Sequence, residues 1–197
     1  KIMRKPDFNQ LIRVITIPPF MAFAALTALF WLRPETFQGM VNYLWAVFCL
    51  TLLPLLAYPL QPLIPGFKDK GREGQRQLAI IGAVAGYLLG VLWALLFPVP
   101  RQQLLIYLVY LISGGLILLF NQALRIRASG HACGVAGPLA FLYYLIGRES
   151  AFILLPVLAL VYRVSLKLKR HTWPELLWGS LISPAALLLS LLVLPPA

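Results

Sequence analysis

The sequence predicts an all-α integral membrane protein, a polytopic bundle of six or seven transmembrane helices in a single domain, residues 1–197. Of the 197 residues, 60% are hydrophobic and only 12% are charged, and the mean hydropathy is +0.83. This composition excludes a soluble globular protein. The second observation is the pattern: seven apolar stretches separated by charged or Pro-rich segments approach the roughly 20 residues that a helix needs to cross a bilayer.

The stretches differ in length and continuity. Pro18 and Pro19 interrupt the first and divide an interfacial segment from the span proper. The fifth and sixth are short and form a predicted helical hairpin around Arg148 and Glu149. Because a broken first span or a fused short pair changes the count by one, both six and seven helices remain open. The approximate bounds of the stretches are 12–32, 41–60, 78–97, 104–124, 132–147, 151–166 and 174–194.

Small residues inside the stretches are predicted to serve packing. Glycines that recur every fourth residue, or stand side by side, let a neighbouring helix approach closely. Cysteines inside apolar runs, at no framework or metal-ligand spacing, are expected to be small core residues. These residues are Gly82, Gly86, Gly90, Gly114, Gly115, Cys49 and Cys133.

The first residues resemble the flank of a signal peptide. Lys1, Arg4 and Lys5 supply the basic character. However, the apolar segment that follows is long and lacks a small-x-small cleavage site, so we expect a first helix that is retained.

The formal net charge of +11 is concentrated on one face of the predicted bundle. In a chain of seven spans, the N-terminus and the segments after spans two, four and six share a face, which leaves only Arg33, Arg101 and Arg148 on the other. The positive-inside rule makes the crowded face cytoplasmic. Anionic lipid and phosphate explain such a surface without nucleic acid. The crowded face carries Lys1, Arg4, Lys5, Arg13, Lys68, Lys70, Arg72, Arg76, Arg125, Arg127, Arg163, Lys167, Lys169 and Arg170.

Both histidines of the chain, His131 and His171, fall on this crowded face, where a polar loop, 66–77, joins them. Snorkelling or contact with lipid head groups explains any single basic loop. Three such loops converging with both histidines instead predict a site. Histidine acts as a nucleophile or general acid/base near neutral pH, and Arg and Lys neutralise phosphoryl oxygens without a metal, so the predicted chemistry is phosphoryl transfer.

Glu175 follows His171 by four residues. At the opening of a helix this spacing puts the carboxylate on the same face as the ring, where it can hold one ring N–H and orient the other nitrogen for attack. The alternative interpretation is a first-turn acid that complements the helix dipole. Asp69, Glu73 and Glu175, the acids nearest the site, are too few and too widely spaced to predict a metal centre.

These residues resemble the type 2 phosphatidate phosphatases, membrane relatives of bacterial acid phosphatases and vanadium haloperoxidases. Three motifs mark that family: Lys, six residues, Arg-Pro; Pro-Ser-Gly-His; and Ser-Arg, five residues, His, three residues, Asp. The segment 128–131, Ala-Ser-Gly-His, is similar to the second motif, and His171 with Glu175 to the end of the third. The segment 68–76 stands in the place of the first, and the motif-bearing core covers about residues 60–197.

The chain departs from the family pattern at several positions. Seven residues separate Lys68 from Arg76 and five separate Lys70 from Arg76, so neither pair has the family's spacing of six. Ser165 stands where the third motif has Arg, with Arg163 and Lys167 as nearby substitutes. The other replacements are Gln77 and Ala128 for prolines and Glu175 for the terminal Asp. The resemblance is therefore to a divergent member.

The resemblance implies a role for each site residue. His171 is the nucleophile that forms a phosphohistidine, Glu175 orients it, and His131 protonates the leaving alcohol and then activates water. No cofactor or metal is implied. Arg125 and Arg127 are either supporting residues or lipid head-group contacts. The implied phosphate-binding residues are Lys68 or Lys70, Arg72, Arg76, Ser129, the Gly130 amide, and Arg163 or Lys167.

The predicted function is hydrolysis of a lipid phosphate or of a polyprenyl or phosphatidyl diphosphate at the membrane surface. A lipid-phosphate transferase would use the same histidines. A non-catalytic anionic-lipid-binding protein would bind phosphate without turnover. A transporter or flippase would place polar residues at mid-membrane, where Ser113, Asn121 and Gln122 are the main candidates.

Overall fold

The computed structural model describes residues 8–194, and every regular element within that range is a helix. The all-α prediction is therefore confirmed, while Lys1, Arg4 and Lys5 lie outside the described residues. Five segments are long and apolar enough to cross a membrane, as expected of a multi-pass membrane protein. They are Met40–Leu63, Lys68–Leu96, Arg101–Ala123, Arg148–Lys167 and Trp173–Val193.

Nine α-helices carry the described part of the chain, and two π-helical segments interrupt or extend them. The segment Phe48–Leu52 joins α3 to α4, and Leu119–Ala123 extends α6. The helices are α1 (Phe8–Ile15), α2 (Pro18–Leu32), α3 (Met40–Val47), α4 (Leu53–Leu60), α5 (Gly71–Leu96), α6 (Arg101–Leu118), α7 (Gly130–Ile146), α8 (Ala151–Lys167) and α9 (Trp173–Val193).

The first predicted stretch is a bent pair of helices. α1 and α2 meet at 56°, and together they make a sixth candidate span when counted as one. The bend falls where predicted, because Pro18 has no N–H to continue the hydrogen bonding of α1 and is instead the first residue of α2. α1 is thereby separated from the apolar helix that follows it.

One boundary differs from the sequence prediction, and one predicted short stretch is confirmed as short. α5 begins at Gly71, so the prediction of a loop through residue 77 is wrong, and Arg72 and Arg76 lie on the first turns of a helix. Long basic side chains allow a helix to extend beyond the apolar layer because their charged ends reach water. α7 has 17 residues and is shorter than the five candidate spans. The count of seven spans is therefore not confirmed.

Glycines in α5 bring it against its neighbours, as predicted. A Cβ at Gly86 would collide with the carbonyl of Cys49 in the first π segment, and one at Gly90 would meet the ring of Tyr107. Gly82 and Gly114 approach Leu53 and Tyr87 in the same way. Gly115 faces open space, so the packing prediction is wrong there. Both cysteines are free and buried, as predicted.

α7 and α9 run parallel and side by side. The amide of Ser129, at the start of α7, donates to the carbonyl of Glu175, at the start of α9, over 2.8 Å. Further along both helices, the Ser183 hydroxyl donates to the carbonyl of Cys133 over 2.8 Å. Both helices therefore begin at the same end of the bundle, and the partial positive charges of their N-termini favour an anion there.

Candidate functional site

His171 and Glu175 are in contact at the start of α9. Thr172 is the residue before the helix, and Pro174 occupies its first turn, where a missing N–H costs nothing. His171 Nδ1 lies 3.1 Å from Glu175 Oε2, and the same oxygen accepts the Thr172 amide over 3.2 Å. When Nδ1–H donates to the carboxylate, Nε2 retains the lone pair that a nucleophile needs. The His171 side chain is 30% exposed and that of Glu175 13%.

A third group holds the Glu175 carboxylate. Arg127 Nε lies 3.5 Å from Glu175 Oε1, although the Arg127 side chain is 85% exposed. An ion pair so open to water contributes little to stability. The sequence is compatible with either a supporting role or a lipid contact for Arg127, and the structure places this residue beside the predicted catalytic pair.

The Ser-Gly-His segment forms the start of α7. The Ser129 hydroxyl oxygen accepts the Ala132 amide over 3.2 Å, so Ser129 caps the helix, and the residue is only 1% exposed. Gly130 is exposed, and its amide precedes the first hydrogen bond within the helix. Of the two predicted phosphate ligands in this segment, only Gly130 is open to solvent.

Asn121 fixes the loop that leads to Ser129. Its side-chain amide donates to the carbonyl of Ala128 over 3.1 Å, and its oxygen accepts the Ala128 amide over 3.0 Å. The sequence alone also allows Asn121 to be a mid-membrane polar residue of a transporter. Asn121 lies in the π segment at the end of α6, and its two hydrogen bonds to Ala128 hold the chain before Ser129 in one conformation.

His131 is held by a residue that sequence reasoning missed. The Thr16 hydroxyl donates to the carbonyl of Ile12 over 2.8 Å, and its oxygen lies 3.3 Å from His131 Nε2. When the hydroxyl proton goes to Ile12, the Thr16 oxygen accepts from His131 in the tautomer that carries its proton on Nε2. Thr16 lies at the break between α1 and α2, 115 residues away in sequence, and no local signal could indicate this contact.

Burial, the Arg13 guanidinium and the nearby ring of His171 lower the pKa of His131 to about 4. His131 is therefore neutral at pH 7 when no anion is bound. Both repulsive groups act on the same ring, which places His131, His171 and Arg13 in one electrostatic neighbourhood. A phosphate dianion bound here would offset the electrostatic effects of Arg13 and His171, and it would therefore raise the pKa of His131.

The predicted basic ligands divide into two groups. Arg72 is an electrostatic neighbour of Arg13, together with Arg170. By contrast, the Lys70 ammonium contacts Gln77 and the Phe67 ring, and Arg76 pairs with Glu73 at 3.5 Å. Lys68 is exposed beside Lys70. These contacts tie Lys70 and Arg76 to their own segment.

Arg163 and Lys167 lie on the exposed side of α8. Ser165, between them, is buried with Val164. Positions two residues either side of Ser165 are rotated by about 200° on a helix, so Arg163 and Lys167 face away from the packed surface. Lys169 and Arg170 follow α8, and the Arg170 amide donates to the Ser165 carbonyl over 3.0 Å.

Comparison with protein-family models, curated proteins and solved structures gives no match to this chain. The fold and the site define the class without a relative. The chain is a helical, multi-pass membrane protein in which two histidines, a carboxylate and several cations meet at the N-terminal ends of two parallel helices.

Proposed function

We propose that this protein is a metal-independent membrane phosphatase that hydrolyses a lipid-borne phosphate through a phosphohistidine, as its resemblance to the type 2 phosphatidate phosphatases implies. The observation that carries the proposal is the 3.1 Å contact of His171 Nδ1 with Glu175, which leaves Nε2 as the attacking atom. A second histidine and excess cations in the same neighbourhood support it. Orienting a histidine through a carboxylate is a recurrent way to set its tautomer.

The proposed reaction has two steps. His171 Nε2 attacks phosphorus, and the bond from phosphorus to the alcohol oxygen breaks as His131 gives that oxygen a proton. Neutral His131 then takes a proton from water, whose oxygen attacks the phosphohistidine and releases inorganic phosphate. Negative charge on the bound phosphate raises the pKa of His131 and favours its protonation for the first step. The N-terminal ends of α7 and α9 and the cations stabilise the phosphoryl oxygens.

A groove that runs from the middle of α7 and α9 away from the site supports a lipid substrate. It encloses about 330 Å³ between α7, α8 and α9, and apolar side chains such as Leu139, Leu155 and Leu187 line it. Ser180, at the groove, lies five residues after Glu175, or roughly 7.5 Å along α9. An acyl or prenyl chain in this groove would keep its phosphate at the helix ends.

The test is release of inorganic phosphate from phosphatidate by the purified protein in detergent. We expect His171→Ala to lower kcat by at least about 10³-fold and His131→Ala by about 10²–10⁴-fold, because the first removes the nucleophile and the second the acid. Arg33→Gln, on the opposite face and paired with Glu35, is the control for a lost positive charge and should retain activity.

The outcomes separate the rival functions. Turnover like that of the wild type in both histidine variants would disprove the mechanism. Tight phosphate binding without turnover by the wild-type protein would identify a non-catalytic lipid-binding protein. Formation of a new phosphate ester when acceptor alcohols are added would identify a transferase.

A further inference from the structure

We propose that α1 forms one wall of the phosphate site and that Arg13 on this helix binds the phosphate oxygens. Arg13 is not part of any motif of the resemblance and was not among the predicted ligands. The inference rests on the phosphate site of the proposed function, but it concerns binding and does not require hydrolysis.

The first observation is the set of contacts that hold α1 against the rest of the bundle. Ile12 of α1 and Thr16, which directly follows the helix, are one turn apart and buried, and α1 packs against α8. At the break after α1, the ring of Pro18 occupies the space where a side chain at Gly134 would lie. With the contact of Thr16 to His131, α1 is held at the start of α7, beside the end of α8.

The second observation is the set of basic groups near Arg13. It lies on α1 three residues before Thr16, on the next turn of the same side of the helix. Its electrostatic neighbours are His131, Arg72 and Arg170, which come from α7, α5 and the segment after α8. Four separate parts of the chain thus contribute basic groups to the electrostatic surroundings of Arg13.

The third observation is the missing counter-charge. Among residues 8–194, neither Arg13 nor Arg72 nor Arg170 forms an ion pair with a carboxylate. The four glutamates pair instead with other cations or with His171, and the exposed Asp69 pairs with none of the three arginines. Arginines brought together without an acid repel one another, and an anion relieves that repulsion. A phosphate suits this arrangement because guanidinium groups bind its oxygens through paired, charge-assisted hydrogen bonds.

The remaining surface of α1 indicates where the anion comes from. Phe8, Leu11, Val14 and Ile15 are all at least half exposed, although each is apolar. A short helix with exposed apolar residues beside an arginine, bent 56° from the next helix, is typical of a segment lying in the membrane interface. The phosphate that Arg13 binds is therefore carried by a lipid of that interface.

Binding of two probes tests this inference: inorganic phosphate and a short-chain phosphatidate in detergent micelles, measured by calorimetry with the intact protein. We expect Arg13→Gln to weaken both by about 10–100-fold, the effect of losing a charge-assisted hydrogen bond pair. Arg13→Lys should lose less, because the positive charge remains. Arg33→Gln, which removes a cation from the other face, should bind both probes like the wild type.

Leu11→Gln separates the two sources of phosphate. We expect it to weaken binding of phosphatidate but not of inorganic phosphate; equal binding of phosphatidate by Leu11→Gln and wild type would overturn the lipid source. Unchanged phosphate affinity in folded Arg13→Gln would overturn the role of Arg13, and a wild-type protein that binds neither probe would overturn the whole inference. A third outcome separates the two proposals. If the wild-type protein binds phosphate but hydrolyses no substrate, and Arg13→Gln loses that binding, the role of Arg13 is supported and the phosphatase is refuted.

Discussion

Glu175 shows how one residue satisfies two interpretations of the sequence. Its Oε2 accepts the Thr172 amide at the start of α9, as a first-turn acid does, and the same oxygen contacts His171 Nδ1. The Glu175 carboxylate stabilises the start of α9, and its hydrogen bond from the Thr172 amide in turn fixes the position of the carboxylate. A catalytic carboxylate held in this way needs little reorganisation to orient a histidine.

His131 provides a prediction at the same scale. Because its pKa in the folded protein is about 4, against an ordinary value of 6.5, the unfolded chain binds the proton more readily between these pH values. The contribution of His131 to the free energy of unfolding is therefore complete above pH 6.5 and is lost as the pH falls towards 4. Vanadate, which resembles a pentacoordinate phosphoryl group, should raise this pKa on binding.

An NMR titration of labelled protein in detergent measures both effects. The chain has only two histidines, and the signal that disappears in His131→Gln identifies the ring. A pKa near 6.5 that vanadate does not shift would contradict the buried, cation-flanked environment described for His131.

Among the elements, α9 carries the geometry of the site on one face. Glu175, Gly179 and Ser183 recur every fourth residue and contact Ser129 or Cys133 of α7. A Cβ on Gly179 would lie 3.0 Å from the amide nitrogen of Ser129, so this glycine sets the distance between the two helices. The spacing of His131 from His171 depends on that distance.

We therefore expect Gly179→Ala to lower phosphatase activity by at least about 10-fold, because a shift near 1 Å between catalytic groups is costly. The same substitution should lower the free energy of unfolding by roughly 1–3 kcal/mol, because the added methyl group overpacks the contact between the helices. Gly115→Ala is the matched control, since Gly115 is helical and faces open space. Activity and thermal unfolding are the measurements. Equal behaviour of the two variants would show that Gly179 does not set the helix spacing.

On the scale of the whole molecule, the starts of α7 and α9, the end of α8 and the bend after α1 lie at one end of the bundle. Cations gather there, and the positive-inside rule predicts that this end faces the cytoplasm. The opposite end has the turn that contains Arg148 and Glu149, which pair with each other.

Two single-cysteine additions test the orientation in intact cells. Asp69 and Glu149 are both exposed acids, Asp69 on the segment leading into α5 and Glu149 in the opposite turn, and the native cysteines are buried. A membrane-impermeant thiol reagent added from outside should label Glu149→Cys and not Asp69→Cys. The reverse pattern would place the site on the outer face and show that phosphate binding, not topology, determines the charge asymmetry.

The sequence by itself determined the helical class, the approximate spans, the bend at Pro18 and the approach of His171 to Glu175. These follow from local rules: apolar run length, the missing N–H of proline and the four-residue period of a helix.

Only the tertiary structure decided which distant residues meet. Thr16 contacts His131, and Arg13 lowers its pKa, because α1 packs against α8 next to the start of α7. Asn121 holds Ala128 because a π segment turns it towards the loop. Arg163 and Lys167, chosen by proximity in sequence, face outwards because the buried face of α8 passes through Ser165. Contacts of this kind depend on the packing of several helices at once, and no period or motif within a single helix specifies them.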